Sequence, residues 1–127
     1  MSSSKGKIQS DILRSQPAIE IKSRDELAKM RIAGQAAAKV LKAVSEHLRP
    51  GVSTGYLDDV AFKEISSLEM KPAFLGYRGF PATTCISINS ELVHGIPRLT
   101  RIVKEGDIVS IDLGVIAGGF YGDVAST

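Results

Sequence analysis

The most regular patterning of apolar and polar positions lies towards the end of the chain. There Ile108-Val-Ser-Ile-Asp-Leu-Gly-Val-Ile116 alternates apolar Val109, Ile111, Leu113 and Val115 with Ser110, Asp112 and Gly114. A period of two predicts a strand with one face in a core. Ala117-Gly118-Gly119 supplies a turn, since glycine accepts the positive φ of tight hairpin loops, and Phe120-Tyr-Gly-Asp-Val-Ala-Ser126 forms the returning strand. With the turn centred on Ala117 and Gly118, Asp112 stands directly opposite Asp123; a slip by one residue would send them to opposite faces. Opposed side chains have Cβ atoms about 4.5–5.5 Å apart, and like charges there repel. Either one carboxyl takes up a proton or a metal ion neutralises both. Two exposed aspartates at a hairpin end are the plainer alternative, against which stands the low preference of Asp for strand bodies.

Upstream the period changes. Ser23-Arg-Asp-Glu26 has the form of a capping box and predicts a helix start. Leu27, Met30, Ala33, Ala37, Val40, Leu41, Val44 and Leu48 then keep a helical stripe as far as Pro50-Gly51. Ser53 or Thr54 can cap a second helix burying Leu57, Val60, Ala61, Ile65 and Leu68, which Lys71-Pro72 closes. His47, in the last turn of the first helix, complements the helix dipole. Residues 1 to 19 are polar, rich in Ser and Lys and broken by Pro17, and are expected to form a flexible arm, with a short helix around Ile8 to Leu13 as the alternative.

Between the second helix and the hairpin, Phe74-Leu-Gly-Tyr77-Arg-Gly-Phe80-Pro81 predicts a shaped loop with apolar walls. Thr83 to Asn89 alternates as a strand, with Cys85 and Ser87 on one face and Thr84, Ile86 and Ile88 on the other. Leu92-Val-His94-Gly-Ile-Pro97 follows, its glycine and proline directing the His94 ring towards a cleft. On its own such a histidine reads as structural or as part of the surface. Lys104-Glu-Gly106-Asp107 turns the chain into the Asp112 strand.

Composition narrows the possibilities. The 127 residues suffice for one compact domain. Sixteen basic and 14 acidic residues are interspersed, for a net charge of +2, which gives neither a nucleic-acid groove nor a polybasic membrane patch. No apolar run approaches the ~18–20 residues of a membrane span, and Met1-Ser-Ser-Ser-Lys has no apolar signal core. Cys85 is the only cysteine, so an internal disulfide and a Cys-rich zinc site are excluded and a reducing cytoplasm is the expected compartment.

Five stretches, Gly76-Tyr-Arg-Gly-Phe-Pro, Cys85-Ile-Ser-Ile-Asn, Val93-His-Gly-Ile-Pro, Glu105-Gly-Asp-Ile-Val-Ser-Ile-Asp-Leu-Gly and Gly119-Phe-Tyr-Gly-Asp-Val-Ala, resemble type I methionine aminopeptidases in order and spacing. The resemblance runs from about Ile19 to Thr127. It implies an α+β chain: half of a pita-bread fold, with two helices packed on an antiparallel sheet, residues 20–127 forming the amino-terminal half of a catalytic domain. By the same resemblance Asp112 chelates one metal and Asp123 bridges two. His94 hydrogen-bonds the scissile amide, while Phe74, Tyr77, Phe80 and Cys85 line the pocket for the methionine side chain. Phe80 stands where some members have Tyr, and the Gly114 position is Thr in others.

Two divalent ions, Mn, Fe(II) or Co, are the implied cofactors; paired ions activate water at neutral pH and polarise a carbonyl. The implied substrate is the N-terminal Met of nascent peptides, with contact to the ribosome through the parent enzyme, which is monomeric. Family members run on for about as many residues again, and that second half brings a histidine and two glutamates to the metals. The expectation is therefore a truncated chain that is incompetent alone and binds metal weakly or not at all. Its last strand is expected to form an exposed edge able to self-associate. A non-catalytic half-domain that pairs with a partner chain and a related hydrolase such as an Xaa-Pro aminopeptidase are the competing readings. The Cys-Ile-Ser-Ile-Asn and His-Gly-Ile-Pro stretches argue against the latter.

Overall fold

The computed structural model describes residues 18–127, so the expected arm over residues 1 to 19 lies outside the described residues but for its last two. Helix α1 spans Arg24–His47 and starts as the capping box predicts: the Ser23 hydroxyl accepts from the Glu26 amide at 3.2 Å, and Glu26 accepts from the Ser23 amide at 3.0 Å. His47 donates from Nδ1 to the Ala43 carbonyl at 2.7 Å in the last turn. Helix α2 spans Thr54–Ser67 and is capped by Ser53, whose hydroxyl accepts from the Tyr56 amide at 2.9 Å.

Strand β1 is Lys71–Pro72, β2 is Thr84–Ile88, β3 is Val109–Ala117 and β4 is Phe120–Ser126. All pairings are antiparallel, and β3 is the spine: β1 and β2 lie end to end along one side and β4 along the other. The alternation in β3 sorts as expected. Val109, Ile111, Leu113 and Val115 are buried beneath the helices with Ala37, Val40 and Val44 of α1 and Leu57, Ala61 and Ile65 of α2. Ser110, Asp112 and Ile116 on the other face remain partly open. Among the described residues no helix is long and apolar enough to cross a membrane.

Three expectations are corrected. Lys71-Pro72 does not close the second helix; α2 ends at Ser67, the chain reverses with Glu69 at φ 58°, and Lys71 and Pro72 pair with Ile116 and Val115. Leu27 and Met30 do not extend the buried stripe, since they are 51% and 37% exposed, and burial along α1 begins at Ala33. The hairpin turn is Gly118-Gly119, not Ala117-Gly118, so Ala117 pairs with Phe120. Both glycines have positive φ, 55° and 82°, the pair of values a two-residue turn of the tightest kind needs and which Ala117 would adopt only at a cost. Asp112 consequently faces Ala125, and Asp123 faces Gly114. The shift is by two residues, so both carboxylates keep the same face but sit diagonally, a spacing of about 7–8 Å between Cα atoms that carboxylate arms can close.

Candidate functional site

Asp112 and Asp123 lie at the floor of a cavity of about 630 Å3, which Phe74, Tyr77, Phe80, Cys85 and His94 also line. All seven residues singled out from the sequence therefore meet in one place, carried there by different parts of the chain. Asp112 is in the middle of β3, between Cys85 of β2 on one side and Ala125 of β4 on the other. Asp123 reaches the same face across Gly114, where no side chain stands between it and the loop above: a Cβ at Gly114 would lie 2.9 Å from the Phe74 ring.

His94 is presented by a backbone device. Its φ is 61°, an uncommon value for a residue with a Cβ. Next to it Gly95 is buried against β2, accepting from the Ile86 amide at 2.9 Å and donating to the Ser87 hydroxyl at 3.0 Å. A Cβ on Gly95 would run into the Ile86 carbonyl and come within 2.9 Å of the Ser87 Cα, so the glycine permits this close approach. The loop is thereby pinned, and His94 sits at the cavity's edge.

The electrostatics single out Asp112. Its Oδ1 is buried and has no hydrogen-bond partner among the described residues. Burial pushes the carboxyl above its ordinary value, the neighbouring Asp123 carboxylate pushes the same way, and His94 pulls against both. Burial, then the negative charges of Asp112, Asp123 and Asp58, push the Cys85 thiol up to about 11, so it is a neutral, apolar wall at physiological pH. A buried carboxylate oxygen without a donor, beside a second carboxylate, is an arrangement that a hard divalent cation satisfies. Among the described residues no cluster of three or more His, Cys, Asp and Glu able to hold an ion occurs. The pair thus fits as part of a donor set.

Three residues outside the expected set help to shape the site. Arg78 and Ile96 also line the cavity. Asp58 of α2 acts from the far side of the sheet: it accepts from the Thr84 amide at 2.7 Å, the Thr84 hydroxyl at 2.6 Å and the Thr83 amide at 3.4 Å, which fixes where β2 begins and hence where Cys85 stands. The glycines at 76 and 79 mark the turn that carries Arg78. Nothing local to the sequence joins Asp58 to Thr84.

Residues 28–127 match the model of metallopeptidase family M24. The chain belongs to that family. Within it, the chain is 49% identical over 116 residues to a methionine aminopeptidase of Aquifex aeolicus, an alignment covering 87% of this chain and 45% of that protein. It is 46% identical over 109 residues to the Escherichia coli K12 methionine aminopeptidase, covering 85% and 41%. The chain spans less than half the length of these curated relatives. Among solved structures, the methionine aminopeptidase of Rickettsia prowazekii superposes with a TM-score of 0.83 at 42% identity, over 85% of this chain and 43% of that one. Aminopeptidase P from E. coli superposes at 0.67 with 24% identity, over 82% and 22%, which shows a shared fold. The α+β expectation stands: the two helices on an antiparallel sheet are those of the M24 pita-bread architecture.

Proposed function

We propose that this M24 chain is the amino-terminal half, residues 20–127, of a catalytic domain that removes the initiator methionine from nascent polypeptides, residues 1–19 being an extension of it. The observation that carries the reading is the orphaned, buried Oδ1 of Asp112 beside Asp123, at the floor of a cavity with largely apolar walls. Asp112 and Asp123 would hold divalent ions, with Mn, Fe(II) and Co suited to oxygen and nitrogen donors. When bound, such ions lower the pKa of water and polarise a peptide carbonyl.

The chain's own residues do the rest. Phe74, Tyr77, Phe80 and the neutral Cys85 thiol enclose the unbranched methionine side chain and keep water from it. His94, held by the Gly95 anchor, donates a hydrogen bond to the scissile amide and steadies charge that develops on it. Two carboxylates are a partial donor set, so the remaining metal-binding groups come from outside the described residues, and this stretch alone does not turn over. A cytoplasmic site of action and contact with the ribosome belong to the same reading.

One observation favours a second role. Among the described residues β4 has a partner on one side only, and Leu27 and Met30 are exposed. Pairing with a further half-domain or with a second copy would cover them. A reading as a related hydrolase such as an Xaa-Pro aminopeptidase rests on structures at 24% identity or less, which speak for the fold.

The test is a chimera in which residues 28–127 replace the matching stretch of the Aquifex aeolicus relative. With Mn or Co it should release Met from Met-Ala-Ser, and Asp112→Asn or Asp123→Asn should each remove at least about 2–3 kcal/mol of transition-state stabilisation, a hundredfold or more in rate. A folded chimera that is inactive, or one as active with either substitution, would sink the proposal.

A further inference from the structure

The rim of the cavity carries a charged group that the roles above leave unused. Arg78 sits at the apex of the Tyr77–Gly79 turn, with φ 48° and ψ 36°, a left-handed conformation that glycine would adopt at less cost. The turn is closely stapled. The Gly76 amide donates to the Phe80 carbonyl at 2.8 Å, the Tyr77 amide to Phe74 at 3.0 Å and the Phe80 amide to Tyr77 at 2.9 Å. Gly76 and Gly79 flank it with φ of 82° and 78°, so the turn spends its two glycines beside Arg78 and keeps a side chain at the apex.

That side chain is not tied down by charge. Its guanidinium lies over the Tyr77 ring, 5.3 Å from the centroid, and among the described residues it enters no salt bridge, with Asp112 and Asp123 or elsewhere. Arg78 is exposed and Tyr77 is 62% exposed. The aromatic face orients a planar fork of donors and leaves its edge open to a ligand. On the aminopeptidase reading, the acidic floor and apolar walls take up the first residue of a polypeptide and the residues after it pass the rim, where the fork stands. A carboxylate matches such a fork in charge and shape.

We propose that Arg78 is a specificity-determining residue that binds an acidic side chain at the third residue of the bound polypeptide, an inference that rests on the aminopeptidase reading above. The test is side-chain 15N–1H NMR of the chain, with magnesium as a diamagnetic ion, titrated with Met-Ala-Glu-Ser, Met-Ala-Lys-Ser and Gly-Ala-Glu-Ser. Met-Ala-Glu-Ser should shift the Arg78 Nε–H signal and bind about fivefold more tightly than the lysine peptide, the weight of one exposed charge pair. The difference should shrink at high salt. It should vanish in Arg78→Gln, whose melting temperature should match wild type, and persist in part in Arg78→Lys. Equal binding of the Glu and Lys peptides, with Met still preferred over Gly as first residue, overturns the role of Arg78 and leaves the aminopeptidase reading standing; so does a preference that survives Arg78→Gln. No discrimination between Met and Gly as first residue overturns both.

Discussion

Asp112 illustrates how one side chain can be a burden to the fold and an asset to the site. Its carboxyl is raised by burial and by Asp123, so the folded chain holds that proton more tightly than the unfolded chain does. For an acid raised on folding, stability is greatest below the ordinary Asp value and falls as pH rises from there through the raised value, remaining low above it. At neutral pH without added metal, Asp112→Asn should therefore raise the melting temperature, and the gain should disappear when the comparison is made in acid. A melting temperature lowered by the substitution at neutral pH would mean that the carboxylate is satisfied by donors in the fold. Gly114 is the complementary case, a residue whose lack of a side chain gives the site its shape. A Cβ there would meet the Phe74 ring at 2.9 Å and the Ala73 Cβ at 3.1 Å. Gly114→Val should push Phe74 into the cavity and weaken binding of Met-Ala-Ser in the chimera, seen as a raised KM, while the fold loses about 1–3 kcal/mol to overpacking.

The elements that hold the site were legible to different degrees, and the reasons are local. The α1 start was readable because a capping box is a short-range exchange of hydrogen bonds between Ser23 and Glu26. In the hairpin, the face was readable and the register was not. Alternation fixes parity, which puts Asp112 and Asp123 together, whereas register depends on which two of Ala117, Gly118 and Gly119 take positive φ. Leu27 and Met30 kept the helical period yet stayed exposed, because a stripe says which face is apolar and not what covers it. Asp58 was invisible for another reason, its partner Thr84 being 26 residues away. Gly122 shows the same long-range dependence. It lies under α1, where a Cβ would overlap the Ala33 carbonyl and come within 2.8 Å of the Gly34 amide. Gly122→Ala should lift α1 from β4 and destabilise the fold by about 1–3 kcal/mol or more, since backbone cannot step aside as a side chain would. An unchanged urea midpoint would show that the helix does not press on the sheet there.

In the whole molecule, fold and candidate site follow from one arrangement. The helices cover one face of the sheet, β3 runs through its middle, and the uncovered face gathers Asp112, Asp123, Cys85 and His94 under a loop wall. On the proposed reading that face offers two carboxylates to a metal ion, and the chain's matches span less than half of each of the two methionine aminopeptidases named above. Calorimetric titration of the chain with Mn(II) tests this most directly. Weak uptake is expected, with a dissociation constant on the order of 0.1–1 mM, lost in Asp112→Asn and in Asp123→Asn. Uptake indifferent to both substitutions, or tight binding of two ions by the chain alone, would contradict it.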